Sequence, residues 1–222
     1  MNADNSTQHT TQQAPRTQPK IPRTIWVLVG AAFIIALGYG LIAPVLPQFA
    51  GSFGVSMAAA GAVISIFALA RLLGAPGAGR LVDRLGSRPI YLTGLLIVAG
   101  ATFLVAFVNA YWQILALRFI AGFGSTMFTL SAQALIVRVT HPSIRGRANA
   151  LYASAFLVGN VVGPIIGAAL SFLGFRAPFA IYGIAVAAAA LAVGVLTQHK
   201  PGSAPLPPAK PKMQVRHVWR VP

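Results

Sequence analysis

The chain has 222 residues, of which 56% are hydrophobic and only 9% are charged. A soluble domain normally carries about 25% charged residues, so this composition excludes an ordinary soluble domain and indicates a membrane protein. The net charge of +15 does not indicate nucleic-acid binding, because Lys and Arg lie in the gaps between apolar stretches instead of clustering within one folded region.

Six apolar stretches follow one another along the chain, and each is long enough to cross a hydrocarbon core of about 30 Å. We predict an all-α polytopic membrane fold, because lipid offers no partners for open strand edges. A disordered cytoplasmic segment (1–23) precedes the six-helix bundle (24–197), and a proline-rich basic cytoplasmic tail (198–222) follows it. The predicted spans are 25–49, 58–81, 89–108, 111–139, 148–172 and 177–197.

The basic residues predict the orientation of these spans. Lys and Arg occur before the first span, around 80–88, within 138–147 and after residue 198, whereas Arg176 alone lies in a gap on the other side. Cytoplasmic loops of membrane proteins are enriched in Lys and Arg. We therefore predict a multi-pass protein of the inner or plasma membrane with both termini in the cytoplasm.

The segment between the second and third spans carries a motif of glycines and charged residues: Gly79, Asp83, Arg84, Gly86 and Arg88. A chain that re-enters the membrane after about seven residues needs glycines to turn and cations to hold the turn inside. The spacing resembles the loop signature of the major facilitator superfamily, Gly-x-Leu-x-Asp-Arg/Lys-x-Gly-Arg-Arg/Lys, with Ser87 replacing one Arg. An ordinary basic turn is the alternative.

This resemblance implies the N-terminal six-helix half of a twelve-span transporter, built from two inverted three-helix repeats. The expected partners are the lipid bilayer, a small-molecule substrate, protons as the coupling ion, and a second six-helix half or a homodimer partner. Transport by alternating access would place the substrate between two bundles. Asp83 and its arginines would latch the cytoplasmic side through charge-assisted bonds to a neighbouring helix end.

The fifth span carries glycines at intervals of four, Gly159, Gly163 and Gly167, with Pro164 among them. This spacing places the glycines on one helix face, where a neighbouring backbone can approach closely. The string resembles the antiporter motif of the superfamily's drug:proton exporters, Gly-x-x-x-Gly-Pro-x-x-Gly-Gly, with Ala168 replacing the last Gly. The resemblance implies multidrug efflux, and ordinary small-residue packing is the alternative.

Two arginines, Arg71 and Arg118, lie well inside predicted spans, away from the span ends, and no Asp or Glu lies in any span. An arginine at the centre of a membrane helix costs at least about 2.5–3.5 kcal/mol, so it normally faces a cavity or a partner. The resemblance assigns Arg118 to the fourth-helix arginine linked to proton coupling, with snorkelling to the interface as the alternative. For Arg71, a cavity role and burial against helix carbonyls remain equally open.

Tyr39, Gln133, Tyr152 and Asn160 are further candidates to line a proton or substrate pathway. The sequence has no His cluster, metal-ligand spacing or nucleophile triad, so neither an enzyme, a cofactor nor a metal site is expected. The predicted function is secondary active export of drugs or small metabolites. A non-transporting six-helix membrane fragment or assembly partner is the alternative.

Overall fold

The computed structural model describes residues 21–197, so most of the predicted polar segments 1–23 and 198–222 lies outside the described residues. Within them the chain forms six α-helices, each long and apolar enough to cross a membrane, and no strand. The helices are α1 (Arg23–Gly51), α2 (Met57–Leu85), α3 (Ser87–Val105), α4 (Tyr111–Val139), α5 (Arg145–Leu170) and α6 (Ala177–Leu196).

The predicted turn of about seven residues between the second and third spans is wrong. Helix α2 continues through the charged residues to Leu85, and α3 begins at Ser87, so Gly86 is the only residue between them. The backbone keeps its hydrogen bonds here, since the N–H of Gly86 donates to the carbonyl of Val82 at 3.0 Å. Gly86 has φ +90°, a conformation that side-chain-bearing residues rarely adopt.

The helices form three layers. Helices α1 and α4 lie in the middle, α3 and α6 pack against each other behind them, and α2 and α5 lie in front. Only 28% of the most apolar stretch of α2 and 17% of that of α5 is buried, against 56% in α1. The front layer therefore exposes apolar side chains that the described bundle does not cover: Leu69, Leu72, Leu73, Leu157, Val158, Val161 and Ile165.

The packing repeats between the two halves of the bundle. Helix α1 packs along α5, and α4 packs along α2, with the two helices of each pair running in the same direction. Helix α3 contacts α4 as α6 contacts α1. This pattern is unchanged when α1–α3 are exchanged with α4–α6, which is the arrangement expected of two inverted three-helix repeats.

Glycines allow the closest of these approaches, between α1 and α5. A Cβ atom on Gly159 would lie 2.6 Å from the carbonyl oxygen of Phe33, and one on Gly167 would lie 2.8 Å from that of Leu41. At Gly163 the added atom would meet the carbonyl oxygen of Leu37. Three successive turns of α5 thus contact the backbone of α1 directly, as small residues permit in membrane helices.

Two arginines join the ends of α3 and α6. Arg88, at the start of α3, donates from Nη2 to the carbonyl of Gly194 at 2.8 Å and from Nε to Thr197 Oγ1 at 3.0 Å, at the end of α6. Arg176, at the start of α6, donates to the carbonyls of Ala106 and Val108 at 3.0 and 2.9 Å, just past the end of α3. Each arginine thus satisfies carbonyls at or just beyond the other helix's C-terminus, where the dipole favours a cation.

Candidate functional site

Side chains from α1, α2, α4 and α5 meet around Tyr39. The ring of Tyr39 lies 5.8 Å from that of Phe67 on α2 and 6.4 Å from that of Phe156 on α5. Its hydroxyl donates to Ser125 Oγ on α4 at 2.8 Å. Four helices therefore share one half-buried point of contact, which is bounded by aromatic rings.

Both intramembrane arginines approach the same aromatic ring. The Cζ atom of Arg118 on α4 lies 4.4 Å from the ring centroid of Phe67, and that of Arg71 on α2 lies 6.0 Å from it. Arg118 is only 7% exposed, whereas Arg71 is exposed. We call Tyr39, Phe67, Arg71, Arg118, Ser125 and Phe156 the arginine–aromatic cluster.

Arg118 has no ionic or hydrogen-bonding partner within residues 21–197. Its Nε is buried and makes no hydrogen bond, and the guanidinium forms no ion pair with any described residue. The ring of Phe67 contacts the guanidinium, and a desolvated cation–π pair of this kind is worth about 2 kcal/mol. Snorkelling to the surface does not occur, because the side chain is buried in the bundle.

Arg71 is exposed, and its guanidinium likewise makes no hydrogen bond to helix carbonyls of the described residues. Its own carbonyl accepts a bond from Thr126 Oγ1 at 3.1 Å, which ties α2 to α4 beside the cluster. The side chain of Arg71 thus stands at the open edge of the cluster, and that of Arg118 lies inside it.

The other candidates for the pathway divide into two groups. Asn160 lies one turn beyond Phe156 on α5, is half-buried, and donates from Nδ2 to the carbonyl of Phe156 at 2.9 Å. Gln133 is exposed and Tyr152 is buried in the core. Neither makes a hydrogen bond or ring contact with the arginine–aromatic cluster, so their role as pathway residues stays a prediction.

The motif between α2 and α3 separates into parts with different surroundings. Gly79 has nothing within 4 Å of its Cβ position. Asp83 and Arg84 are exposed and make no ion pair or side-chain hydrogen bond with any described residue. Arg88 is the member that binds a neighbouring helix end, that of α6.

Sequence reasoning missed Phe67, Ser125 and Phe156. An aromatic or hydroxyl side chain in an apolar stretch carries no signal of its own. A signal did exist in the spacing, because Phe67 precedes Arg71 by four positions and Ser125 follows Arg118 by seven, which places each on the same helix face as its arginine.

Residues 28–222 match the family described as the Major Facilitator Superfamily. The chain belongs to this superfamily. It is therefore a multi-pass membrane protein of a family of transporters rather than of enzymes.

Several curated relatives are multidrug resistance proteins. The multidrug resistance proteins MdtG of Salmonella arizonae and of Salmonella newport are each 34% identical over 167 residues, which make up 73% of this chain and 41% of the relative. The chain thus spans about two fifths of the length of these relatives.

Solved structures support the fold. The human organic anion transporter MFSD10 aligns with a TM-score of 0.68 at 22% identity, over 78% of this chain and 47% of that protein. A peptide transporter POT, crystallised with sulfate, aligns with a TM-score of 0.72 at 14% identity, over 78% of this chain and 37% of that protein. At these identities the likeness concerns the six-helix architecture alone.

Proposed function

We propose that the chain is the N-terminal six-helix half of a proton-coupled exporter of drugs or small metabolites that works by alternating access. The observation that carries this proposal is the arginine–aromatic cluster, where α1, α2, α4 and α5 converge. The curated relatives are named as multidrug resistance proteins, which favours export. The antiporter-like glycines of α5, in contact with α1, agree with this assignment.

A second bundle is part of the proposal, since one bundle forms only one wall of a cavity. The apolar front faces of α2 and α5 are suited to pack against it. The relatives are long enough to contain a second half, because this chain spans 41% of their length. A second copy of the chain is the other candidate for this role.

We also propose that the protein lies in the plasma membrane, with Gly86 and the α4–α5 connection on the cytoplasmic side. This end of the bundle carries Arg80, Arg84, Arg138 and Arg147, all exposed, as expected of cytoplasmic loops. Asp83, exposed at the same end, is free to accept bonds from a second bundle and so to act as a latch.

The test uses proteoliposomes that contain a pH-sensitive dye. The chain is reconstituted as a cross-link-verified monomer, as a tandem dimer, and together with the second six-helix half of an MdtG relative. We expect no flux from the monomer, and proton flux coupled to drug addition in at least one of the paired arrangements. Coupled flux from the monomer would overturn the half-transporter proposal, and no flux in any arrangement would favour the non-transporting alternative.

A further inference from the structure

The arginine–aromatic cluster carries positive charge that nothing in the bundle neutralises. Arg71 and Arg118 approach one ring, and the chain has only two acidic residues, Asp4 and Asp83. Asp83 lies in the last turn of α2 and is exposed. No helix therefore offers a carboxylate at the depth of Arg118.

A buried charge without a counter-charge is unfavourable by several kcal/mol. The cation–π contact of Arg118 with Phe67 offsets only about 2 kcal/mol. The unpaired Nε of Arg118 leaves a strong donor without an acceptor in the described bundle. A bound anion would supply both the charge and the acceptor that the site lacks.

The surroundings of Arg118 indicate the kind of anion. A guanidinium binds carboxylate, sulfonate or phosphonate groups through two parallel hydrogen bonds. The ring of Phe67 contacts the guanidinium, the ring of Tyr39 lies next to that of Phe67, and the ring of Phe156 lies next to that of Tyr39, which provides an apolar and aromatic surface. Arg71 is exposed and its Cζ atom lies 6.0 Å from the centroid of the Phe67 ring, so its charge adds to the positive potential that attracts anions to the site.

We propose that the arginine–aromatic cluster binds the transported substrate through an anionic group, and that the substrates are amphipathic organic anions. That the bound anion is a transported substrate rests on the proposed transport function. The residues argued to bind the anion all belong to the six described helices, so binding can be measured on this chain alone. A carboxylate from a second bundle that pairs with Arg118 permanently is the competing explanation of the unpaired charge.

The test measures equilibrium binding by calorimetry to the chain in nanodiscs of zwitterionic phosphatidylcholine. The probes are 1-naphthoate, the neutral 1-naphthamide and the cationic 1-naphthylmethylammonium, which share one ring system and differ in charge. We expect naphthoate to bind at least about tenfold more tightly than the amide, which equals about 1.4 kcal/mol, and the ammonium to bind most weakly. The preference should weaken as ionic strength rises.

Variants locate the binding. Arg118→Gln should reduce naphthoate binding to the level of the amide, and Arg118→Lys should retain part of the preference because it keeps the charge without the planar fork. Arg71→Gln should weaken naphthoate binding by a smaller factor. Arg138→Gln is the matched control, since Arg138 is also on α4 but is exposed and outside the cluster. Thermal unfolding of each variant checks that it folds.

The proposal is overturned if naphthoate and naphthamide bind equally, if the ammonium binds best, if no probe binds, or if a folded Arg118→Gln variant keeps the preference. It is also overturned if addition of the second half abolishes naphthoate binding, which is the result expected of a permanent carboxylate partner. Failure of the transport proposal is distinguishable, because flux would then be absent while naphthoate binding to Arg118 persists.

Discussion

Replacement of Gly163 by Ala tests the contact between α1 and α5 at its closest point. A Cβ atom there would lie 2.7 Å from Gly40 Cα and 2.8 Å from the backbone nitrogen of Leu41, and it would also meet the carbonyl oxygen of Leu37. All three contacts are with backbone atoms, so no side-chain rotation relieves them. The two helices must move apart.

The size of the effect follows from these distances. Ordinary contact with a Cβ begins near 3.4 Å, so the 2.7 Å distance to Gly40 Cα alone requires the helices to separate by at least about 0.7 Å at this turn. A gap of about 0.5–1 Å forfeits a quarter to a half of each dispersion contact across the interface, including those at Gly159 and Gly167. Overpacking of this kind costs about 1–3 kcal/mol. We expect Gly163→Ala to lie in the upper part of this range.

The assay is reversible unfolding in mixed micelles, with SDS as the denaturant. Gly100→Ala on α3 is the matched control, since a Cβ at Gly100 has nothing within 4 Å and the variant shares the gain of up to about 1 kcal/mol in helix propensity. Gly163→Ala should be about 2–3 kcal/mol less stable than Gly100→Ala. Equal stability of the two variants would refute the close packing of α1 on α5.

Two further predictions concern the ends of the bundle. Arg88→Ala should lower the free energy of unfolding by about 1.5–3 kcal/mol, because two hydrogen bonds from a charged donor to the end of α6 are lost. Arg84 is exposed and unpaired within the described residues, so Arg84→Ala should change the free energy of unfolding by less than about 0.5 kcal/mol. Similar values for both variants would contradict the assigned contacts. Ser52 and Ser143 are exposed at opposite ends, so in intact cells an impermeant maleimide should label Ser52→Cys and spare Ser143→Cys, and the opposite labelling would reverse the proposed orientation.

The six helices could be predicted from the sequence because about 20 consecutive apolar residues in lipid have to satisfy their own backbone hydrogen bonds. The largest difference in their bounds is at the end of α2, predicted at residue 81 and found at Leu85. Apolarity marks where a helix leaves the membrane, but charged residues such as Asp83 and Arg84 extend the same helix into water. The pattern therefore located the spans better than the turn.

The candidate site could be predicted only in part, for a related reason. Arg71 and Arg118 stand out because a charge in an apolar stretch is energetically costly. Nothing in the sequence distinguishes Phe67 from an apolar residue that faces lipid. Likewise, the spacing of Gly159, Gly163 and Gly167 identifies a packing face but not the neighbour that occupies it. Pairing between helices depends on contacts far apart in the sequence, which no local pattern encodes.

Arg176 departs from the distribution of Lys and Arg among the gaps between spans, and its role is to stabilise the packing of α3 against α6. It is the single cation in a gap on the side that otherwise lacks Lys and Arg, and orientation gives no reason for it. Its hydrogen bonds explain its presence, because Arg176 donates to carbonyls at and just past the end of α3 that have no partners within their own helix. Arg88 makes the equivalent contact with α6 at the other end. The exchange of α3 with α6 thus relates these two arginines as it relates the helices, and the inverted repeat extends from backbone packing to the electrostatics of the helix ends.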